Sequence, residues 1–104
     1  MNFDFETVGQ DMLGAAQGVL KGEWPKARAA MEQVLAEERA ALERIAQYRL
    51  EGRITDQEMQ QQLEDEKVAL QAGLAMVRVA AKKTLQDATN AALDVFWKAV
   101  QAAL

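Results

Sequence analysis

The stretch Tyr48–Leu70, YRLEGRITDQEMQQQLEDEKVAL, packs a helix stop, a turn and a helix start into a few residues, and its reading decides the fold. Gly52 directly follows an apolar helical rhythm and supplies the residue that enters the left-handed region where a helix ends. Thr55 and Glu58 have the spacing of a capping box, in which each side chain satisfies the other residue's backbone N–H at the start of a new helix. Ile54 and Met59 occupy the two positions of a hydrophobic staple, which fixes how the chain approaches that helix. The five residues Gly52, Ile54, Thr55, Glu58 and Met59 therefore predict the turn of a helical hairpin.

Working backwards from the turn, Met31, Val34, Leu35, Ala41, Leu42, Ile45 and Tyr48 recur at intervals close to the heptad rhythm of a coiled coil. They predict a helix over residues 26–51. Glu38 sits where this stripe continues, as a ligand, a register device or a carboxylate at the seam's edge that reaches an arginine. Working forwards, Met59, Leu63, Leu70, Leu74, Val77, Ala81, Leu85, Ala88, Ala92, Val95 and Ala99 keep a stripe with no proline to break it, predicting one helix over residues 56–103. At about 1.5 Å per residue such a helix runs about 70 Å. Gly73, unfavourable mid-helix relative to alanine by about 1 kcal/mol, implies a bulky neighbour, and the hairpin register assigns that neighbour as Leu35.

Charge supports the hairpin. The second helix carries Arg39, Arg44, Arg49 and Arg53 toward its end, and the third begins with Asp56, Glu58, Glu64, Asp65 and Glu66. Folding at Gly52 sets these groups opposite one another, with Arg44–Glu64 and Arg49–Glu58 as expected pairs. Exposed pairs contribute about 0.2–1 kcal/mol each, so they select register more than they stabilise.

Before the hairpin, Val8, Met12, Leu13, Ala16, Val19 and Leu20 predict a short first helix over residues 5–21. A bend over residues 22–25 follows: Gly22 suits a helix C-cap, Pro25 suits a first helical turn, and Trp24 plugs the elbow. Gly14, Gly18 and Gly22 fall four apart on one side, a face able to approach Leu85, Leu93, Phe96 or Trp97 closely. The whole reads as one all-α domain spanning residues 1–104. Its expected shape is an elongated helical hairpin with a short N-terminal helix and one very long C-terminal helix.

A thin rod of this kind leaves apolar surface uncovered. Val68, Ala72, Ala75, Met76 and Val79 form a second strip on the third helix that no intrachain element covers, which predicts a homo-oligomeric helical bundle built along it.

Composition narrows function. The 104 residues include no cysteine and no histidine, which removes disulfides, thiolate sites, the usual general base and the commonest metal ligand. Glu37, Glu38, Asp65 and Glu66 can converge as in carboxylate-bridged bundles, but those sites also draw on Glu-x-x-His. No P-loop is present. No catalytic, cofactor or metal role is assigned, and no cofactor is expected. A net charge of −4 argues against nucleic acid as a partner. Asp4 and Glu6 stand where a secretory signal carries basic residues, and the longest low-charge run falls short of the roughly 20 apolar residues a membrane span needs, so a cytoplasmic protein is expected.

Charge is unevenly distributed. From Lys67 onward, Lys67, Arg78, Lys82, Lys83 and Lys98 outnumber Asp87 and Asp94, whereas the chain before it is acidic. Lys82, Lys83, Phe96, Trp97 and Lys98 accordingly form a candidate membrane or partner contact, the alternative being that the aromatics anchor the first helix in the core. The expected function is that of a non-enzymatic helical interaction or scaffold protein acting through self-association and partner-helix binding. A membrane-surface helix protein is the alternative.

Overall fold

The structure, a computed structural model, describes residues 3–76, 78 and 80–104. It is helical, with no strand among the described residues, and comprises α1 (Phe5–Leu20), α2 (Trp24–Leu50), α3 (Asp56–Ala75) and α4 (Lys82–Ala103), with a 3-10 turn over Lys21–Glu23.

α1 begins where Asp4 accepts a hydrogen bond from the Glu6 backbone N–H at 3.1 Å, satisfying one of the donors left free at a helix start. The bend after it is tighter than expected. The positive φ falls on Lys21 (φ 50°) rather than Gly22, and Trp24 is already helical at φ −56° and ψ −45°, with Pro25 in the first turn of α2. Trp24 is buried there, beside Ala27 in the core cluster.

At the α2–α3 corner, Gly52 has φ 75°. The Arg53 N–H donates to the Tyr48 carbonyl at 2.8 Å, and the Gly52 N–H donates to that of Arg49 at 3.1 Å, so the end of α2 closes on its own carbonyls. Thr55 then caps α3: its Oγ1 accepts from the Glu58 N–H at 3.1 Å while Glu58 Oε1 accepts from the Thr55 N–H at 3.0 Å. Met59 is fully buried and Ile54 packs partly buried against the same core. Because Glu58 is engaged in the cap, Arg49 pairs with Asp56 instead, at 2.6 Å. The expected Arg44–Glu64 pair does not form, and both residues are exposed.

The single helix expected over residues 56–103 is two helices. α3 stops at Ala75 and α4 starts at Lys82, with Arg78 between them at φ 51°. The reason is burial. A straight helix would carry its C-terminal half away from the core, whereas folding back buries Leu85, Leu93, Phe96 and Val100 against α1. Each such side chain gains about 1.5–3 kcal/mol on burial. The few backbone hydrogen bonds interrupted at the corner are worth about 0.5–1.5 kcal/mol each and are partly replaced by water. The extended rod is thereby replaced by a body of 39 × 23 × 19 Å.

α4 and α1 share the most extensive helix contact, and the ring of Phe3 stands edge-on to Phe96 with centroids 5.7 Å apart. The face of α1 used is Phe5, Val8, Met12, Ala16 and Leu20. Gly14 and Gly18 lie elsewhere on the helix, Gly14 about 200° around from Met12, so the glycine seam is absent: a Cβ added at Gly14, Gly18 or Gly22 would meet nothing within 4 Å. Close approach occurs instead at Gly73, where a Cβ would come within 2.6 Å of Val34 Cγ2. The bulky neighbour is Val34, one residue from the expected Leu35, because the α2–α3 register is offset by one.

Candidate interaction surface

The helical period that buries Met59, Leu63, Leu70 and Leu74 of α3 puts Val68, Ala72, Ala75 and Met76 on its opposite, exposed side. Val68 is 67% and Met76 84% exposed, unusual values in a chain whose other large apolar residues are nearly all buried or half-buried. Val79, the fifth residue of the expected strip, lies outside the described residues, as does Val77 of the buried stripe. The corner between α3 and α4 turns this strip into the wall of a groove of about 490 Å³, with Val68, Ala72 and Ala75 on one side, Leu85 on the other, and Arg78 and Lys82 at its end. Among the described residues no carboxylate lines it.

Of the two readings of Lys82, Lys83, Phe96, Trp97 and Lys98, the aromatics follow the one in which they pack against the core. Phe96 is fully buried, and Trp97 packs half-buried against the core. Lys83 and Lys98 are paired along their own helix with Asp87 at 3.1 Å and Asp94 at 2.9 Å. Lys82 alone of the group reaches the groove. No described helix is long and apolar enough to cross a membrane.

The five turn residues lie together at the opposite end of α3, and their hydrogen bonds are satisfied within the corner. Asp56 beside them accepts from Arg49 at 2.6 Å and from Gln101 Nε2 at 2.9 Å, which ties the end of α4 to the start of α3. The Arg49 guanidinium, with help from Gln101, holds the Asp56 carboxyl below its usual range.

Two features go beyond the sequence reading. The first is a groove of about 700 Å³ between α1 and α2, lined by Phe5, Leu13, Trp24 and Leu35 and crossed by charges that neutralise one another. Arg28 pairs with Glu32 at 2.6 Å, and Arg39 pairs with Glu6 at 3.6 Å and with Glu43 while lying 5.3 Å over the Phe5 ring.

The second is a pair of acids, drawn from the four carboxylates Glu37, Glu38, Asp65 and Glu66 that were expected to be able to converge. Glu38 stands at the centre of the α2 stripe as its spacing indicated, but the group that meets it is the Glu66 carboxyl of α3, not an arginine. Glu66 occupies the same kind of position, between buried Leu63 and Leu70. Its Oε2 is buried without a hydrogen-bond partner. Burial, then the neighbouring Glu38 carboxyl, then Asp65, push the Glu66 carboxyl up to about 7. The Glu66 carboxyl therefore keeps its proton to a pH at which a solvent-exposed glutamate has lost it. No group of three or more metal-ligating side chains converges among the described residues. The interval of three from Leu63 to Glu66 was the available signal, masked because Glu64, Asp65 and Glu66 read as one solvated acidic run. No known protein-family model, curated protein or solved structure matches this chain.

Proposed function

We propose that the chain is a non-enzymatic helical interaction module whose contact surface is the strip Val68, Ala72, Ala75 and Met76, acting through self-association and by receiving a partner helix. The observation that carries this reading is the exposure of Val68 and Met76 beside an apolar groove, where most other described large apolar side chains are buried or half-buried. The paired charges of the α1–α2 groove make that face less suited to docking, because a partner must displace ion pairs already formed.

Size-exclusion chromatography with light scattering tests it. The native chain is expected to elute above monomer mass at micromolar concentration, and the double substitution Val68→Glu, Met76→Glu to return it to monomer with an unchanged helical spectrum. A native chain that stays monomeric at high micromolar concentration removes self-association from the reading. The membrane-surface alternative loses its main apolar contributor with Phe96 in the core. A cytoplasmic setting belongs to the same proposal and is tested by fractionation of cells expressing the tagged chain.

A further inference from the structure

The exposed face of α3 carries more than an apolar strip. With successive residues about 100° apart, Asp65, Val68, Ala72 and Met76 fall within an arc of about 80°, and all four are exposed. Along that face the chemistry changes in order. Glu64 and Asp65 are acidic, Val68 to Met76 is apolar, and Arg78 and Lys82 at the α3–α4 corner are basic. Glu64, Asp65, Arg78 and Lys82 take part in none of the ion pairs found among the described residues, which use other partners throughout.

The arrangement has a centre. Val68 and Met76, the two most exposed large apolar residues among those described, lie four residues on either side of Ala72, or about 6 Å each way along the axis. Ala72 itself is small enough to let a second helix approach closely. A surface with this order is complementary to itself when reversed: an antiparallel copy sets Val68 against Met76, Met76 against Val68, and the acidic end against the basic corner. A parallel copy would put like charges together, which is unfavourable.

We infer that the occupant of this surface is a second copy of the chain, packed α3 against α3 in antiparallel fashion with Ala72 at the two-fold axis. Val68 and Met76 cover one another across the interface, and Glu64 and Asp65 of each copy face Arg78 and Lys82 of the other. Such an interface is isologous and closes at two copies, so it yields a dimer and not a fibre. The inference rests on the reading that the α3 strip is the contact surface.

The sequence has no cysteine, so Ala72→Cys creates a single thiol on an exposed position. Near a two-fold axis its Cα meets its own image within reach of a disulfide, about 4.4–6.8 Å. Mild oxidation should convert Ala72→Cys to a covalent dimer about tenfold faster or more than Glu51→Cys at the far corner, as expected when association raises the effective thiol concentration toward millimolar. Charge gives a second measurement in the cysteine-free chain. Glu64→Lys with Asp65→Lys should weaken the dimer, and adding Arg78→Glu with Lys82→Glu should restore it. A native chain monomeric by light scattering overturns both this pairing and the self-association reading beneath it. A native dimer in which Ala72→Cys crosslinks no faster than Glu51→Cys, or in which the fourfold charge exchange does not recover association, overturns the antiparallel pairing alone.

Discussion

The two corners of α3 are built by different physics. At the first, Gly52 takes the left-handed conformation without strain, the Arg53 and Gly52 N–H groups close on α2 carbonyls, and Thr55 with Glu58 caps α3. Every device lies within a few residues of the turn. At the second, the left-handed residue is Arg78, and α4 starts from Ala81 with no side-chain cap. No glycine or side-chain cap marks a stop there among the described residues. The first corner forms because its residues prefer to turn, whereas the second forms because α4 gains more by burial against α1 than the helix gains by continuing.

If the second corner is held by distant packing, the largest effect should come from removing that packing. Phe96→Ala deletes the fully buried ring that meets Phe3 and should destabilise the fold by about 3–5 kcal/mol in urea denaturation. Trp97→Ala, half-buried at the edge of the same helix, should lose less. Equal losses at the two positions would mean that α4 is not anchored through the Phe96 face.

A smaller effect sharpens the α2–α3 side of the comparison. Gly73→Ala places a Cβ 2.6 Å from Val34 Cγ2, so the usual helix preference for alanine should be overridden, with a net loss of about 1–3 kcal/mol. Val34→Ala should relieve the clash, making the double substitution less costly than the two single effects added together. Thermal melts of the four proteins measure this directly, and simple additivity would show that the helices do not meet here.

The corners should also respond in opposite directions. Gly52→Val is strained at φ 75° by roughly 1 kcal/mol or more, and Thr55→Ala removes a cap worth about 0.5–2 kcal/mol. Ala81→Asp should add a cap where none exists, stabilising by about 0.5–1 kcal/mol. Destabilisation by Ala81→Asp would break the contrast.

A comparably small effect belongs to the acid pair within the hairpin. Glu66 titrates near 4.5 in ordinary surroundings and is raised to about 7 in the fold by burial and Glu38. The native state therefore binds more protons than the unfolded state between those values. The resulting stability is fully present below about pH 4.5 and is lost as pH rises through about 7. Discounted for the solvent that still reaches the pair, the loss should be about 1 kcal/mol. Denaturation at pH 5 and pH 8 should show that decline in the native chain and not in Glu66→Gln. The same slope in both would place the titrating group elsewhere.

What the residues disclosed by themselves follows the range of the forces involved. The helical character, the Gly52 turn, the capping box and the exposed strip on α3 depend on backbone preference and on periodicity within one helix, so spacing alone displayed them. The seam position of Glu38 was equally visible. Its partner was visible only as one of several acids able to converge with it, because which of Glu64, Asp65 and Glu66 turns toward α2 depends on how the two helices pack, as does the meeting of Gly73 with Val34 instead of Leu35. The break after Ala75 was the least visible of all. Ala72 to Ala88 contains good helix formers, no proline and an unbroken stripe, so local preference favours continuation. That the first helix approaches the last segment was expected, but only in three dimensions is it the Phe5, Val8, Met12 and Ala16 face of α1, not the glycine side, that is buried as α4 buries Leu85, Phe96 and Val100. That gain arises between segments distant in sequence, and it is large enough to overrule the helix at the one place where the chain must reverse.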